Sequence, residues 1–233
     1  MDALIDAARG PMFRVAFAIM AFGLLYRIAT TVGHIAASWW RAGDRRVPVR
    51  DIAGATLTWL VPVRLLKVRP VTSIASFLLH LGLVIVPLFL LGHATLLGGS
   101  FAAIWPTLPA NVADTLTLVA LASILLLIGG RIAAPAARKL SRFSDHAILI
   151  VLFVMLLFGF LASHPGLSPF PARTMLLLHI LLGNLVLVLM PITKIAHCAL
   201  YPFTQLVFQL GWHFPAESGR HVAAVLKKEG EPI

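Results

Sequence analysis

The chain has 233 residues and is 59% hydrophobic but only 12% charged, against about 25% charged in soluble domains, which excludes a water-soluble globular fold. A formal net charge of +10 would suit nucleic acid, yet the basic residues cluster in a few segments between apolar runs, as membrane topology requires, so no nucleic-acid partner is expected. The single cysteine, Cys198, excludes an internal disulfide framework and a Cys-rich iron–sulfur motif, so any iron–sulfur chemistry belongs to a partner.

Residues 1–11 read as a short polar lead without a cleavable signal, because Asp2 and Asp6 stand where a leader carries positive charge. The first span is expected over residues 12–35, with Arg27 and His34 in its second half and Trp39 and Trp40 suited to an interfacial belt. Residues 41–70 read as a basic loop. Within it, residues 52–66 mix apolar and basic side chains like a segment lying on the membrane surface, and Pro62 opposes a straight helix. The second span is expected over 72–97, with His80 and His93 inside it and Pro87 midway. An uncharged loop, 98–110, leads to a third span over 112–132 and a basic loop holding Arg131, Arg138, Lys139 and Arg142. The fourth span, 146–162, is followed by turn-formers at Pro165, Gly166 and Pro169. The fifth span, 175–202, carries His179 and His197, and residues 203–233 form a polar tail.

The fold class expected is therefore an all-α integral membrane protein with five transmembrane helices, residues 1–202 forming the five-span domain and 203–233 the C-terminal tail. An N-terminus outside and a cytoplasmic C-terminus put fifteen of the nineteen Lys and Arg on the cytoplasmic side, as the positive-inside rule demands.

Ionisable side chains within membranes mark functional sites. His179 and His197 are eighteen residues apart, five turns of a continuous helix, so they share a face about 27 Å apart. That separation places one near each side of a hydrocarbon core about 30 Å thick. Spans two and five run antiparallel, so His80 lies level with His197, and His93 with His179. Each pair of neutral imidazoles offers two axial ligands to one metal, as bis-histidine haem b requires, and two haems b are expected on His80, His93, His179 and His197. The thirteen residues from His80 to His93 amount to about 220° on a straight helix, so Pro87 is expected to kink or unwind the span and reset the phase. No carboxylate or thiolate cluster lies at these depths to suggest zinc or di-iron. A buried histidine also serves as a proton relay or an inter-helix hydrogen bond. The competing readings are thus a cofactor-free membrane anchor or scaffold and a proton-coupled transporter.

Two stretches carry a family likeness. Leu178-His179, Leu182-Gly183, Pro191, Lys194, His197 and Pro202 form a pattern that resembles the last span of the gamma subunit of respiratory nitrate reductase, a di-haem b membrane anchor. The run LLHLGLVIVPLFLLGH, with His80-x-Gly82 at one end and Gly92-His93 at the other, is similar to that family's second span. The longer histidine spacing with Pro87 between, and the absence of Lys and Arg from 70–130, depart from nitrate reductase, and the longer, proline-containing form looks more like a branch found in sulfate-reducer and sulfur-oxidiser complexes. There a related cytochrome b joins an iron–sulfur subunit related to heterodisulfide reductase. Nitrate is therefore not carried over as a substrate.

The resemblance implies an electron-transfer subunit of an oxidoreductase in a bacterial or archaeal cytoplasmic membrane. It would connect the quinone pool, menaquinone or ubiquinone, with an iron–sulfur subunit on the cytoplasmic side, which the tail would contact. His93 and His179 would hold an outer haem, His80 and His197 an inner one, and quinone would bind near Gly92 and His93. Lys194, Arg173 and Arg27 are candidates for the haem propionates, their ordinary role being interfacial or paired charge. His164 and Asp114 are candidates for handling quinone protons, their ordinary role being a solvated loop or helix-cap residue.

Overall fold

A computed structural model of the chain describes residues 1–41, 49–60, 63–210 and 218–228. All regular structure among these residues is helical. Five stretches are long and apolar enough to cross a membrane: Asp2–Trp40, Pro70–Phe89, Ala110–Ala133, Phe143–Ser163 and Ala172–Leu189. Residue contacts group the chain into two units, Met1–Met20 with Pro62–Leu189, and Ala21–Val61 with Met190–Ile233.

The expected polar lead is itself helical. Helix α1 (Asp2–Ala7) runs through one π-helical turn, Ala8–Met12, into α2 (Phe13–Arg41). The wide turn falls where Pro11 has no N–H to give to the ladder. The expected basic loop also contains helix, α3 (Val49–Leu60) and α4 (Val63–Val68), while Pro62 lies outside the described residues.

Helix α5 (Pro70–Phe89) begins with proline at its first position, where the missing N–H costs nothing. It stops eight residues short of the expected end of the second span, because Leu90 is extended (φ −76°, ψ 127°), and a single turn, α6 (Leu91–Ala94), follows. The uncharged connection is partly helical, with α7 at Gly99–Ile104. Helices α8 (Ala110–Ala133), α9 (Pro135–Leu140) and α10 (Phe143–Ser163) follow. The start of α10 is fixed by Asp145, whose carboxylate accepts from the Arg142 backbone N–H at 2.9 Å.

The fifth apolar helix, α11 (Ala172–Leu189), overturns the expectation of one continuous helix over 175–202. A proline at 191 has no N–H for the helix ladder and disfavours helical backbone at the residue before it, so α11 ends at Leu189. The chain restarts through a 3₁₀ turn at Lys194–Ala196, capped by the Thr193 side chain accepting from the Ile195 N–H at 3.3 Å. Helix α12 (His197–Leu210) then runs into what reads in sequence as polar tail, and α13 (Ser218–Val225) follows.

The core of the first unit lies where α8 packs between α5 and α10, around Leu79, Ala120, Ile124, Leu152 and Leu156. Gly82 lets α5 and α8 approach closely: a Cβ there would lie 2.9 Å from the Leu116 carbonyl oxygen and from the Ala120 Cβ. Small residues serve in this way because apolar helices in lipid gain contact through close packing rather than by escaping water. The buried Asn184 of α11 donates to the Ala8 carbonyl at 2.8 Å, in the turn loosened by Pro11. In the second unit, α3 packs on α12, Gly23 of α2 gives room to the Pro191 ring, and the Arg27 guanidinium donates to the Pro191 carbonyl at 2.8 Å.

Candidate metal centre

The break after α5 decides where His93 goes. The last carbonyls of α5 lack partners within the helix, and the segment beyond it supplies them. The Trp105 indole N–H donates to the Leu88 carbonyl at 2.7 Å, and the Leu108 N–H to the Phe89 carbonyl at 2.8 Å. Trp105 also stacks on Phe89 and Phe101, with ring centres 5.9 and 4.8 Å apart. The 98–110 segment is thus a cap on α5, and the capped end turns α6 out of the α5 register. The phase difference between His80 and His93 is absorbed at Leu90, three residues beyond Pro87.

So placed, the His93 ring lies 5.9 Å from the His179 ring, centre to centre, at an interplanar angle of 28°. Metal–imidazole bonds of about 2.0–2.1 Å put the centres of two opposed imidazoles about 6 Å apart, so the spacing suits one shared metal. His179 Nδ1 sits 2.8 Å from the Met155 carbonyl on α10, and His93 Nδ1 sits 3.4 Å from the Val86 carbonyl. A carbonyl only accepts, so in each ring Nδ1 carries the proton and Nε2 keeps its lone pair, the tautomer a ligating histidine needs. Gly159 of α10 makes the room: a Cβ there would fall 2.7 Å from His179 Nδ1 and 2.8 Å from its Cε1. The two imidazoles are both partly buried between apolar helices, and they are the residues that would hold the iron of a haem b. Among the described residues no cluster of three or more His, Cys, Asp or Glu stands together.

The other two expected ligands fall in different units, His80 in the first and His197 in the second. His80 Nδ1 lies 2.6 Å from the Ser76 carbonyl and His197 Nδ1 lies 2.6 Å from that of Lys194. These bonds are local to one helix or turn and recur at His146 and His164, so they carry less information than the bond from His179 to a neighbouring helix. The continuous helix from which a rise and register between His179 and His197 were expected is absent, since α11 ends at Leu189 and α12 starts at His197.

Asp114 and His164 are brought together, with the carboxylate 3.4 Å from His164 Nε2 and both side chains about one-third exposed. The His164 ring stacks on Phe160 at 4.2 Å and its Nδ1 meets the Phe160 carbonyl at 2.9 Å. Gly92 has open space where a side chain would project. Of the propionate candidates, Arg173 pairs with Asp2 at 2.6 Å, Arg27 holds the Pro191 carbonyl, and Lys194 sits exposed in the 3₁₀ turn before His197. The sequence reading passed over Gly159, Met155 and Trp105. An isolated glycine in an apolar run, here FGF at 158–160, marks a close helix contact and was the available signal for the first.

The chain is 34% identical over 220 residues to a protein of Nitratidesulfovibrio vulgaris, covering 90% of this chain and 93% of the relative. It belongs to that protein's family. The relative is described simply as "Protein". No protein-family model matches the chain. No solved structure matches it either.

Proposed function

We propose that this multi-pass membrane protein is the di-haem cytochrome b subunit of an oxidoreductase, exchanging electrons between the quinone pool and an iron–sulfur subunit on the cytoplasmic side. The observation that carries the reading is the His93–His179 pair, two rings 5.9 Å apart with both Nδ1 atoms turned to carbonyls. A haem b held by these two histidines would supply one-electron transfer, and the hydrogen bonds of the imidazoles would help set its potential. The carbonyls of Met155 and Val86 orient the imidazoles, and Gly159 keeps α10 from displacing one of them. His80 and His197 are the ligands of the second haem in this reading, with Lys194 as its propionate partner. The Asp114–His164 pair is the candidate acceptor for protons released by quinol near Gly92 and His93. The charge distribution favours an outside N-terminus, with the C-terminal segment toward the soluble partner, and the family resemblance favours a bacterial or archaeal cytoplasmic membrane.

Visible spectra of membranes holding the full complex test this reading. The wild type should show two b-type haems by pyridine haemochrome. His93→Ala and His179→Ala should each remove the same one, and His80→Ala and His197→Ala the other. Two haems surviving all four substitutions would overturn the ligand assignment. A wild-type complex without haem would return the chain to the anchor or transporter readings.

A further inference from the structure

The connection between α8 and α10 holds charge that no acid among the described residues answers. Arg131 lies in the last turn of α8, and its Nη1 is buried without an acceptor. Arg138 and Lys139 end α9, and Arg142 precedes α10. Among the described residues none of these four cations forms an ion pair. The neighbouring acid, Asp145, is engaged in capping α10. Large apolar side chains stand out beside them: Ile132 is 56% exposed, Leu140 83% and Phe143 88%.

Depth gives this combination a meaning. Helix α8 has 24 residues, about 36 Å of helix, against a hydrocarbon core of about 30 Å, so its last turn reaches the headgroup layer. A guanidinium without an acceptor at that level needs an anion from outside the chain, and rotation about the last torsions of the partly exposed Arg131 side chain turns Nη1 outward. A haem propionate is a poor fit. The close contact of Gly82 with Ala120 sets His80 near the level of Ala120, and Arg131 lies eleven residues farther along α8, about 16 Å away. An acidic soluble protein would leave Leu140 and Phe143 against water. An acyl layer would cover them.

We propose that residues 131–143 form a binding site for anionic phospholipid. The phosphate is held by Arg131 with Arg138, Lys139 and Arg142, and Leu140 and Phe143 enter the acyl region. The site stands apart from the haem reading and does not depend on it.

The test uses the full chain in a neutral detergent, titrated with phosphatidylglycerol, phosphatidylcholine or inorganic phosphate. Bound lipid is read by native mass spectrometry, and haem content is recorded alongside. Phosphatidylglycerol should bind in preference to phosphatidylcholine, and the preference should shrink in high salt. Each cation removed should weaken phosphatidylglycerol by about fivefold. Arg131→Gln probes the buried contact, and the double variant Arg138→Gln/Lys139→Gln probes exposed side chains whose loss leaves the fold intact. Equal binding of the two lipids would overturn the proposal, as would an undiminished preference in the double variant. A phosphate effect matching that of phosphatidylglycerol would make this a free-anion site and overturn the lipid assignment. Variants that keep the lipid preference but lose an acidic partner subunit would reassign the surface to protein docking.

Discussion

Both histidine-bearing apolar runs are broken at a proline-containing stretch, and the two breaks have opposite consequences. After α5 the chain is extended at Leu90, and the segment beyond it folds back to cap the broken end through Trp105 and Leu108. His93 stays with the helices of its own unit and meets His179. After α11 the break at Pro191 is held instead by Arg27 and capped by Thr193, and His197 begins a new helix in the other unit. A proline break therefore does not fix where the next ligand goes. The hydrogen bonds that satisfy the freed backbone groups do.

The sharpest way to break the first region without touching a ligand is Gly159→Val. Its Cβ alone would fall 2.7 Å from His179 Nδ1, so the ring or α10 must move. Overpacking of this kind costs about 1–3 kcal/mol. The expected outcome is loss of the haem assigned to His93 and His179 with the other retained, read by difference spectra. Retention of both haems would show that His179 need not occupy this position. Trp105→Ala should have the next largest effect. It removes one hydrogen bond and two ring stacks, together about 2–3 kcal/mol. The variant should unfold at lower temperature and show a changed spectrum for the same haem, because the position of His93 depends on the capped end of α5. Trp105→Phe, which keeps stacking and loses the indole donor, should recover part of that loss.

The five spans were legible in the sequence because continuous apolar runs of membrane length leave a helix few alternatives. Their ends were less so. Proline at 87 suggested the need for a reset in the second span, yet the helix continues to Phe89, because a Pro removes one donor and does not by itself stop a helix whose remaining bonds are made. In the fifth span the eighteen-residue spacing of His179 and His197 looked like five turns of one helix, and Pro191 between them was the signal against it. The meeting of His93 and His179 was expected from the order of the spans, which makes the second and fifth antiparallel, and the two rings do meet. The Met155 carbonyl and the clearance at Gly159 were not readable, since they depend on which face of α10 meets α11. Asp114 and His164 were named together as candidates but with no contact between them, and the packing of α8 on α10 makes them a pair.

The smaller effects sharpen the second region. Arg27→Leu leaves the Pro191 carbonyl without the guanidinium that donates to it at 2.8 Å, a charge-assisted bond worth about 1.5–3 kcal/mol when buried and less at this partly buried site. Thr193→Ala removes the cap on the Ile195 N–H and should cost about 0.5–2 kcal/mol. Neither residue is a ligand, so both variants should keep the haem assigned to His93 and His179 unchanged. If the turn at Pro191 sets the position of His197, the haem assigned to His80 and His197 should become easier to lose on mild heating, more so in Arg27→Leu than in Thr193→Ala. Haem release followed separately for the two centres checks this. Equal labilisation of both would mean that the substitutions loosen the protein as a whole. A selective effect on the His93–His179 centre would mean that the turn at Pro191 supports the wrong ligand pair.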